Sequence, residues 1–316
     1  MTSSLKKFQT GGDRTTWPGH TGNWRRWDNN RGALNLIDTD AVLRAATSVS
    51  QGRSFACGRP VQDSTGSNIW GTPAFVHEML TPPGNYNAGL LTQVSHDRMT
   101  FITHGLINTH IDALGHMGHG GVCFDGNDYD EVVTMDRGVL GIDVTECAPL
   151  TTRGVIIDVP RMRGVPRLQP DDVVGEADIE RLATSIVSGD AVIIRTGVDW
   201  REAQRTRQAP VGEEIDRGNW PGLNCAAIDL LASLDISVVA TDTPGDSFPH
   251  EYEEFTHAPV HTLAEVYYGI PMLHNLELEE VSQAAADAGQ TYCLLCVAPL
   301  NVPGATGSLI APTVVL

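Results

Sequence analysis

The sequence predicts an α/β protein in which helices cover a mixed or parallel sheet. Short, wholly apolar segments typical of buried strands alternate with segments that have helical spacing. No linker or internal repeat divides the 316 residues, which favours a single domain over 1–316. The first half is less regular and is predicted to be β-rich, with 1–60 forming an N-terminal arm and helix.

Each element follows from its local pattern, in chain order. AVLRAA has helical spacing and follows the capping residues Asp38 and Thr39, so a helix is predicted from about 38 to 49. FITHGLINTHID predicts a strand that runs into a loop. The remaining predicted strands are GVIIDVP, AVIIRTG, DISVVATDT and TYCLLCVAPL, and the remaining predicted helices are DDVVGEADIERLATSIV, NCAAIDLLASL, 261–267 and LELEEVSQAAADAG.

Charge and composition exclude several classes of function. A net charge of -18 argues against nucleic acid as a partner and against an anionic membrane surface. No segment has the apolar length of a membrane span or a signal peptide, so we expect a cytoplasmic protein with a small-molecule substrate. The 6 cysteines include a CxxC at Cys293 and Cys296, but it lies in a predicted buried strand, which indicates core packing.

The stretch HGLINTHIDALGH, 104–116, concentrates groups that can bind a metal. His110 and Asp112 are two residues apart, so both side chains point to the same side of an extended strand. His104 precedes them and His116 follows a glycine-containing turn. Imidazole nitrogen with carboxylate oxygen suits Zn or Mn, and three protein ligands leave room for water and substrate. The alternative is that these groups satisfy loop backbone.

Other site chemistries have weaker support. GxSxG, GxxxxGK[ST] and HExxH are all missing from the sequence. A cysteine–histidine pair that uses Cys123 stays open as an alternative, although a single cysteine there more often packs in the core. His119, three residues after His116, is interpreted as a surface loop histidine.

HxxxxTHxDxxxH, 104–116, resembles the signature of the metal-dependent cyclase family, which includes bacterial kynurenine formamidase and isatin hydrolase. The shorter form of that signature is HxGTHxDxPxH, and the spacing here resembles the longer-chain branch. WDNNRGALNLID, RGVIIDVPR, GDAVIIRTG, SVVATDTPGDSFP and VHTLAEVYYGIPMLHNLEL extend the resemblance over nearly the whole chain.

The resemblance implies a swivelling β/β/α-type fold, a hydrolytic site activated by Zn or Mn, and a homo-oligomer, either a dimer or a tetramer. Carried over by position, His104, His110 and Asp112 would be metal ligands of a first site. His116 would be the catalytic acid and base. His261 would belong to a second metal position found in the formamidases.

Three departures from the family pattern affect these roles. His104 lies six residues before His110 rather than four, so its assignment assumes an inserted loop. Leu114 replaces the proline of DxPxH. The glutamate of the family's LENL segment is His274 here, and a neutral histidine cannot bridge two metals as a carboxylate does. The sequence therefore predicts one divalent ion per chain, or a second position with altered ligands that include His274.

The mechanistic hypothesis is hydrolysis of an amide, cyclic amide, lactone or ester, with a metal to activate water and His116 to carry the proton. Trp70 and Phe255 are predicted to line a pocket for a flat aromatic molecule. Asp242 and Asp246, just past a buried strand, are further candidates for that pocket. Two alternatives are a non-hydrolytic cyclase or dehydratase of natural-product synthesis and a metal-stabilised binding protein with a degenerate site.

Overall fold

The computed structural model describes residues 22–61, 75–81, 94–199, 219–250, 252 and 256–316. The chain divides into two compact units. The first comprises Met1–Arg59, Thr109–Val198 and Gly218–Leu316, and the second comprises Pro60–Asn108 and Asp199–Arg217. The extent of the domain, 1–316 with an arm over 1–60, stays a prediction.

The strands are short, except for the central ones of the main sheet. In chain order they are β1 (Ser54–Ala56), β2 (Phe75–Met79), β3 (Asp97–Phe101), β4 (His110–Asp112), β5 (Val133–Thr134), β6 (Gly138–Val139), β7 (Leu150–Asp158), β8 (Val173–Val174), β9 (Ala191–Arg195), β10 (Gly222–Leu223), β11 (Val238–Thr241), β12 (Met272–His274), β13 (Tyr292–Val297), β14 (Gly307–Leu309) and β15 (Thr313–Val315).

The helices include one π-helix that directly follows a short α-helix. The α-helices are α1 (Thr39–Thr47), α2 (Tyr129–Val132), α3 (Val159–Arg163), α4 (Glu176–Ala183), α5 (Cys225–Ser233), α6 (Pro259–His261) and α7 (Glu279–Asp287). The π-helix is Thr262–Tyr268, and 3-10 helices cover Gly32–Leu36, Phe124–Gly126 and Val144–Cys147. Among the described residues, no helix has the length and apolar character needed to cross a membrane.

Nine strands form the main sheet of the first unit, in the order β1-β15-β13-β7-β9-β11-β12-β4-β14. The four central strands β7, β9, β11 and β12 are parallel, and the flanking strands pair antiparallel. Val192 and Ile194 of β9 pack into one hydrophobic core, whereas Ala191 and Ile193 pack into another. Both faces of the sheet are therefore covered, and the predicted α/β class with a mixed sheet is confirmed.

Local sequence explains where several elements begin and end. The Asp38 carboxylate accepts a hydrogen bond from the first turn of α1, and Asn224 does the same for α5. Gly289, with a φ of 62°, follows the end of α7. One detail differs from the predicted strand GVIIDVP: β7 ends at Asp158, and Pro160 lies in the first turn of α3, where its missing N–H costs nothing.

The β-rich first half does not build a separate large sheet among the described residues. β1 is an edge strand of the main sheet, β4 lies between β12 and the other edge strand β14, and β5 pairs with β6. In the second unit, β2 and β3 form an antiparallel pair whose side chains are mostly exposed.

Candidate metal centre

The pairing of β4 with β12 brings together side chains from segments far apart in the chain. His274 lies directly opposite His110 in this antiparallel pair. Because side chains alternate along a strand, His110, Asp112 and His274 share one face of the sheet, while Ile111 and Leu273 pack into the hydrophobic core on the other face. The His110 and His274 rings have centroids 5.2 Å apart.

The end of α6 and the π-helix after it supply two more side chains at this face. His261 and Glu265 are four residues apart and so lie on the same side of the helix. The His261 ring stacks on that of His274, with centroids 4.6 Å apart and an angle of 14° between the planes. One ligand atom from each of Asp112, His261, Glu265 and His274, hereafter the buried cluster, lies within 4.8 Å of every other.

The two oxygens of Asp112 face different histidines. Oδ2 lies 3.2 Å from Nε2 of His274, 3.6 Å from Nε2 of His261 and 3.8 Å from Nε2 of His116. Oδ1 lies 3.5 Å from Nε2 of His110. One oxygen of Asp112 therefore faces the His110 imidazole, and the other faces the three remaining imidazoles.

Asp246 orients His261 within the buried cluster. One of its oxygens accepts a hydrogen bond from the backbone N–H of Val260 at 2.7 Å, and the other contacts Nδ1 of His261. This contact leaves Nε2 of His261 directed toward Asp112. Burial lowers the pKa of His261, but the charge and hydrogen bond of Asp246 outweigh it, so the pKa is raised overall.

Glu265 and His274 are buried with few polar contacts. Among the described residues, none makes a hydrogen bond to either oxygen of Glu265 or to Nδ1 of His274, and Nε2 of His274 has its 3.2 Å contact with Oδ2 of Asp112. Burial raises the pKa of Glu265 well above its usual range, and the charges of Asp112 and Asp246 raise it further. Burial lowers the pKa of His274 despite the nearby Asp112 charge. Unpartnered imidazole and carboxylate groups that converge on one point fit a divalent metal ion.

His116, the predicted acid and base, is the most accessible of these side chains. It is 25% exposed, whereas His110 is 4% and Asp112 is 1% exposed. Substrate and solvent can therefore reach His116 more readily than the groups beneath it.

The remaining predicted site residues are placed as follows. The Asp242 carboxylate accepts hydrogen bonds from the backbone N–H and hydroxyl of Thr196 and from the N–H of Gly197, so these contacts do not favour substrate binding. Trp70 and Phe255 lie outside the described residues. His104 belongs to the second unit, and its role as a ligand stays a prediction.

The predicted positions of His119 and of the cysteines can also be compared with the structure. His119 is partly buried rather than a surface residue, and its Nδ1 lies 3.2 Å from the hydroxyl of Tyr267. All six cysteines are free thiols, and five are buried; of the CxxC pair predicted to pack in the core, Cys293 is buried and Cys296 is only partly buried.

Glu265 is the member of the buried cluster that sequence reasoning missed. The segment TLAEVYY was predicted as part of a helix, and its glutamate was given no role. The sequence carries one signal, since Glu265 is the charged residue of the otherwise uncharged segment TLAEVYY and follows the candidate ligand His261 by four residues.

Comparison with known proteins agrees with this architecture. The model of the family described as "Cyclase: Putative cyclase" matches residues 25–246, more than half of the chain. The chain belongs to the Cyclase family, which confirms the resemblance found in the sequence. A search of the curated proteins finds no match.

Solved structures show the same fold. A crystal structure of "a novel cyclase" is 23% identical with a TM-score of 0.79, and the match covers 94% of this chain and 100% of that one. Isatin hydrolase A from Labrenzia aggregata, bound to benzyl benzoate, is 18% identical with a TM-score of 0.58, covering 85% and 94%. Isatin hydrolase A from Ralstonia solanacearum is 17% identical with a TM-score of 0.56, covering 83% and 91%.

Proposed function

We propose that the protein is a metal-dependent hydrolase that cleaves a C–N or C–O acyl bond in a small aromatic molecule. The observation that carries the proposal is the position of His116, partly exposed, with its Nε2 3.8 Å from Asp112 at the edge of the buried cluster. Membership of the Cyclase family supports it. An amide, cyclic amide, lactone or ester would be the scissile group.

The residues of the chain divide this work between binding and proton transfer. The proposed metal ligands are His104, His110, Asp112, His261 and His274. A zinc or manganese ion held there would polarise the acyl carbonyl and make water more acidic. His116 accepts a proton from the attacking water and returns it to the leaving nitrogen or oxygen, for which a histidine is suited near neutral pH.

The names of the fold neighbours bear on the substrate class. The two isatin hydrolases compared above are named for isatin, a cyclic amide, which supports a cyclic amide as substrate. The roles of Trp70, Phe255 and Asp242 in binding an aromatic ring stay predictions, as do one metal ion per chain, a dimer or tetramer, and a cytoplasmic location.

Metal analysis combined with product mass tests the proposal. Protein purified without added metal is analysed for zinc and manganese, and is then incubated with aromatic amides, cyclic amides, lactones and esters in ¹⁸O-labelled water. We expect bound metal and products that have gained one labelled water. Products isomeric with the substrate, or lighter by one water, would instead indicate a cyclase or dehydratase.

Histidine variants locate the activity. His116→Gln should lose turnover and keep its metal, while His77→Gln, at an exposed position on β2 in the second unit, should keep both. A protein whose melting temperature falls on chelation but which turns over no acyl compound would be the binding protein considered above.

A further inference from the structure

The geometry points to Glu265 as a metal ligand that completes, with Asp112, His261 and His274, a position for one divalent ion. This inference rests on the metal dependence proposed above and adds a ligand to it. The π-helix contributes Glu265, the end of α6 contributes His261, and strands β4 and β12 contribute one side chain each. Their ligand atoms all lie within 4.8 Å of one another.

The burial of Glu265 requires a partner that the described residues do not supply. The side chain is 0% exposed, and neither of its oxygens makes a hydrogen bond to a described residue. A bare carboxylate in such a place is costly, and a protonated carboxyl would still need an acceptor for its O–H. A cation held by Glu265 and the facing imidazoles would balance the carboxylate charge and offset the cost of its burial.

The charge of the buried cluster matches one divalent ion. Asp112 and Glu265 bring two negative charges, and His261 and His274 serve as neutral imidazole ligands. The third carboxylate nearby, Asp246, is engaged with Nδ1 of His261 and the N–H of Val260, so it positions a ligand rather than acting as one. Two nitrogens and two oxygens favour zinc, manganese or iron over calcium and magnesium.

The same geometry explains how a histidine can occupy position 274. Nε2 of His274 faces Oδ2 of Asp112, the oxygen that also faces His261. His274 therefore needs to act only as a terminal ligand, and the carboxylate contribution comes from Glu265 instead. A histidine in LHNL is thus compatible with a complete ligand set, because the π-helix supplies a carboxylate at Glu265.

Metal affinity, rather than turnover, is the decisive measurement. Wild type, Glu265→Gln and Glu180→Gln, a control on the exposed face of α4, are purified and analysed for metal. They are then stripped by chelation and titrated with Co²⁺ while the visible absorption spectrum is recorded. We expect Glu265→Gln to lose more affinity than the roughly 10- to 100-fold that loss of an outer-shell partner costs. Its Co²⁺ spectrum should also change, and the control should match wild type.

Thermal unfolding separates a ligand from a packing residue. If Glu265 binds metal, Glu265→Gln should unfold at or above the temperature of stripped wild type and should gain less stability than wild type from the same concentration of Zn²⁺. A lower melting temperature without metal combined with the full Zn²⁺ gain would show a packing role and overturn the inference. Unchanged Co²⁺ affinity and spectrum in Glu265→Gln would overturn it as well.

The two proposals can fail independently. A wild-type protein that binds Co²⁺ through Glu265 but hydrolyses no acyl compound would refute the proposed function and leave this ligand in place. An active hydrolase whose Glu265→Gln variant binds Co²⁺ like wild type would refute the ligand and leave the function in place. Glu265→Asp, which keeps the carboxylate, should retain more Co²⁺ affinity than Glu265→Gln.

Discussion

Asp242 and Glu265 are two buried carboxylates of the same unit, and they have opposite surroundings. Asp242 lies just past β11 and accepts hydrogen bonds of 2.7 to 2.9 Å from Thr196 and Gly197, which follow the neighbouring strand β9. Glu265 lies in the π-helix, and no described residue donates a hydrogen bond to it. Burial raises the pKa of both groups, although the hydrogen bonds to Asp242 oppose the effect.

Both carboxylates are buried, so burial does not distinguish them. The number of hydrogen-bond donors around each carboxylate does, because a carboxylate without donors needs a cation instead. Asp242 joins the ends of two parallel strands, and the protein itself supplies the donors that a buried carboxylate needs. Around Glu265 the nearest charged groups include two more carboxylates, Asp112 and Asp246, so its surroundings are adapted to a cation from outside the chain.

Asp112→Asn should have the largest effect on the metal side of this comparison. The amide cannot provide two anionic oxygens to the histidines on both sides, so we expect metal to be lost. Turnover should fall on the order of 1,000-fold or more, because the ion contributes several kcal/mol to the transition state. Elemental analysis and steady-state kinetics check this, with circular dichroism to confirm folding. Full metal content with normal turnover would contradict the proposed centre.

His116→Gln should reduce turnover next most strongly while leaving the ion in place. General acid–base catalysis contributes about 100- to 10,000-fold, and glutamine cannot exchange a proton. We expect kcat to fall within that range with metal content and melting temperature unchanged. Loss of metal in this variant would instead assign His116 to the ligands.

Asp242→Asn tests the structural side of the comparison. The amide NH₂ would face N–H donors of Thr196 or Gly197, so hydrogen bonds to a charged group are lost and a buried donor is left unsatisfied. We expect the free energy of unfolding to fall by about 2–3 kcal/mol, measured by urea denaturation. Co²⁺ affinity of the folded variant should match wild type; a change in affinity would place Asp242 in the metal centre.

Asp246→Asn should weaken metal binding, but less than the loss of a metal ligand does. Asp246 holds Nδ1 of His261 and thereby fixes its orientation. Loss of such an outer-shell partner lowers metal affinity about 10- to 100-fold. Co²⁺ titration measures the change, which should be smaller than that of Glu265→Gln. An equal or larger loss would mean that Asp246 itself binds the ion.

The sequence predicted those strands and site residues whose signal lies within one short segment of the chain. Strands β9, β11 and β13 lie in the predicted segments, since a mostly apolar run in the middle of a sheet has few alternatives. Strand β7 overlaps its predicted segment but begins earlier, at Leu150. His110 and Asp112 could be identified because two-residue spacing on a strand places both side chains on one face. The π-helix could not be distinguished from an α-helix by its pattern.

The missing information was long-range pairing. The antiparallel register that sets His274 opposite His110 joins two strands that lie far apart in the chain. No local sequence pattern encodes this pairing. Glu265 was missed for the same reason, since its importance lies in what the fold places against it. His274 in LHNL is visible in the sequence, but the position of Glu265 beside it is visible only in the folded structure.

His119 should give the smallest effect, through pH. Burial lowers its pKa below the usual value of 6.5, so the unfolded chain binds more protons just below that pH. Stability is complete above about pH 6.5 and is lost as the pH falls through the lowered pKa of the folded state. Because the ring is partly exposed, we expect a loss of only a few tenths of a kcal/mol between about pH 7.5 and 5.

The His119→Gln variant isolates this contribution. Urea unfolding of wild type and variant is compared across the same pH range, so that the other titrating groups cancel in the difference. The stability of wild type relative to the variant should decline as the pH falls. A relative stability that rises instead would mean that His119 is held in its charged form beside Tyr267, and that its surroundings are closer to those of His261 than to an ordinary buried loop.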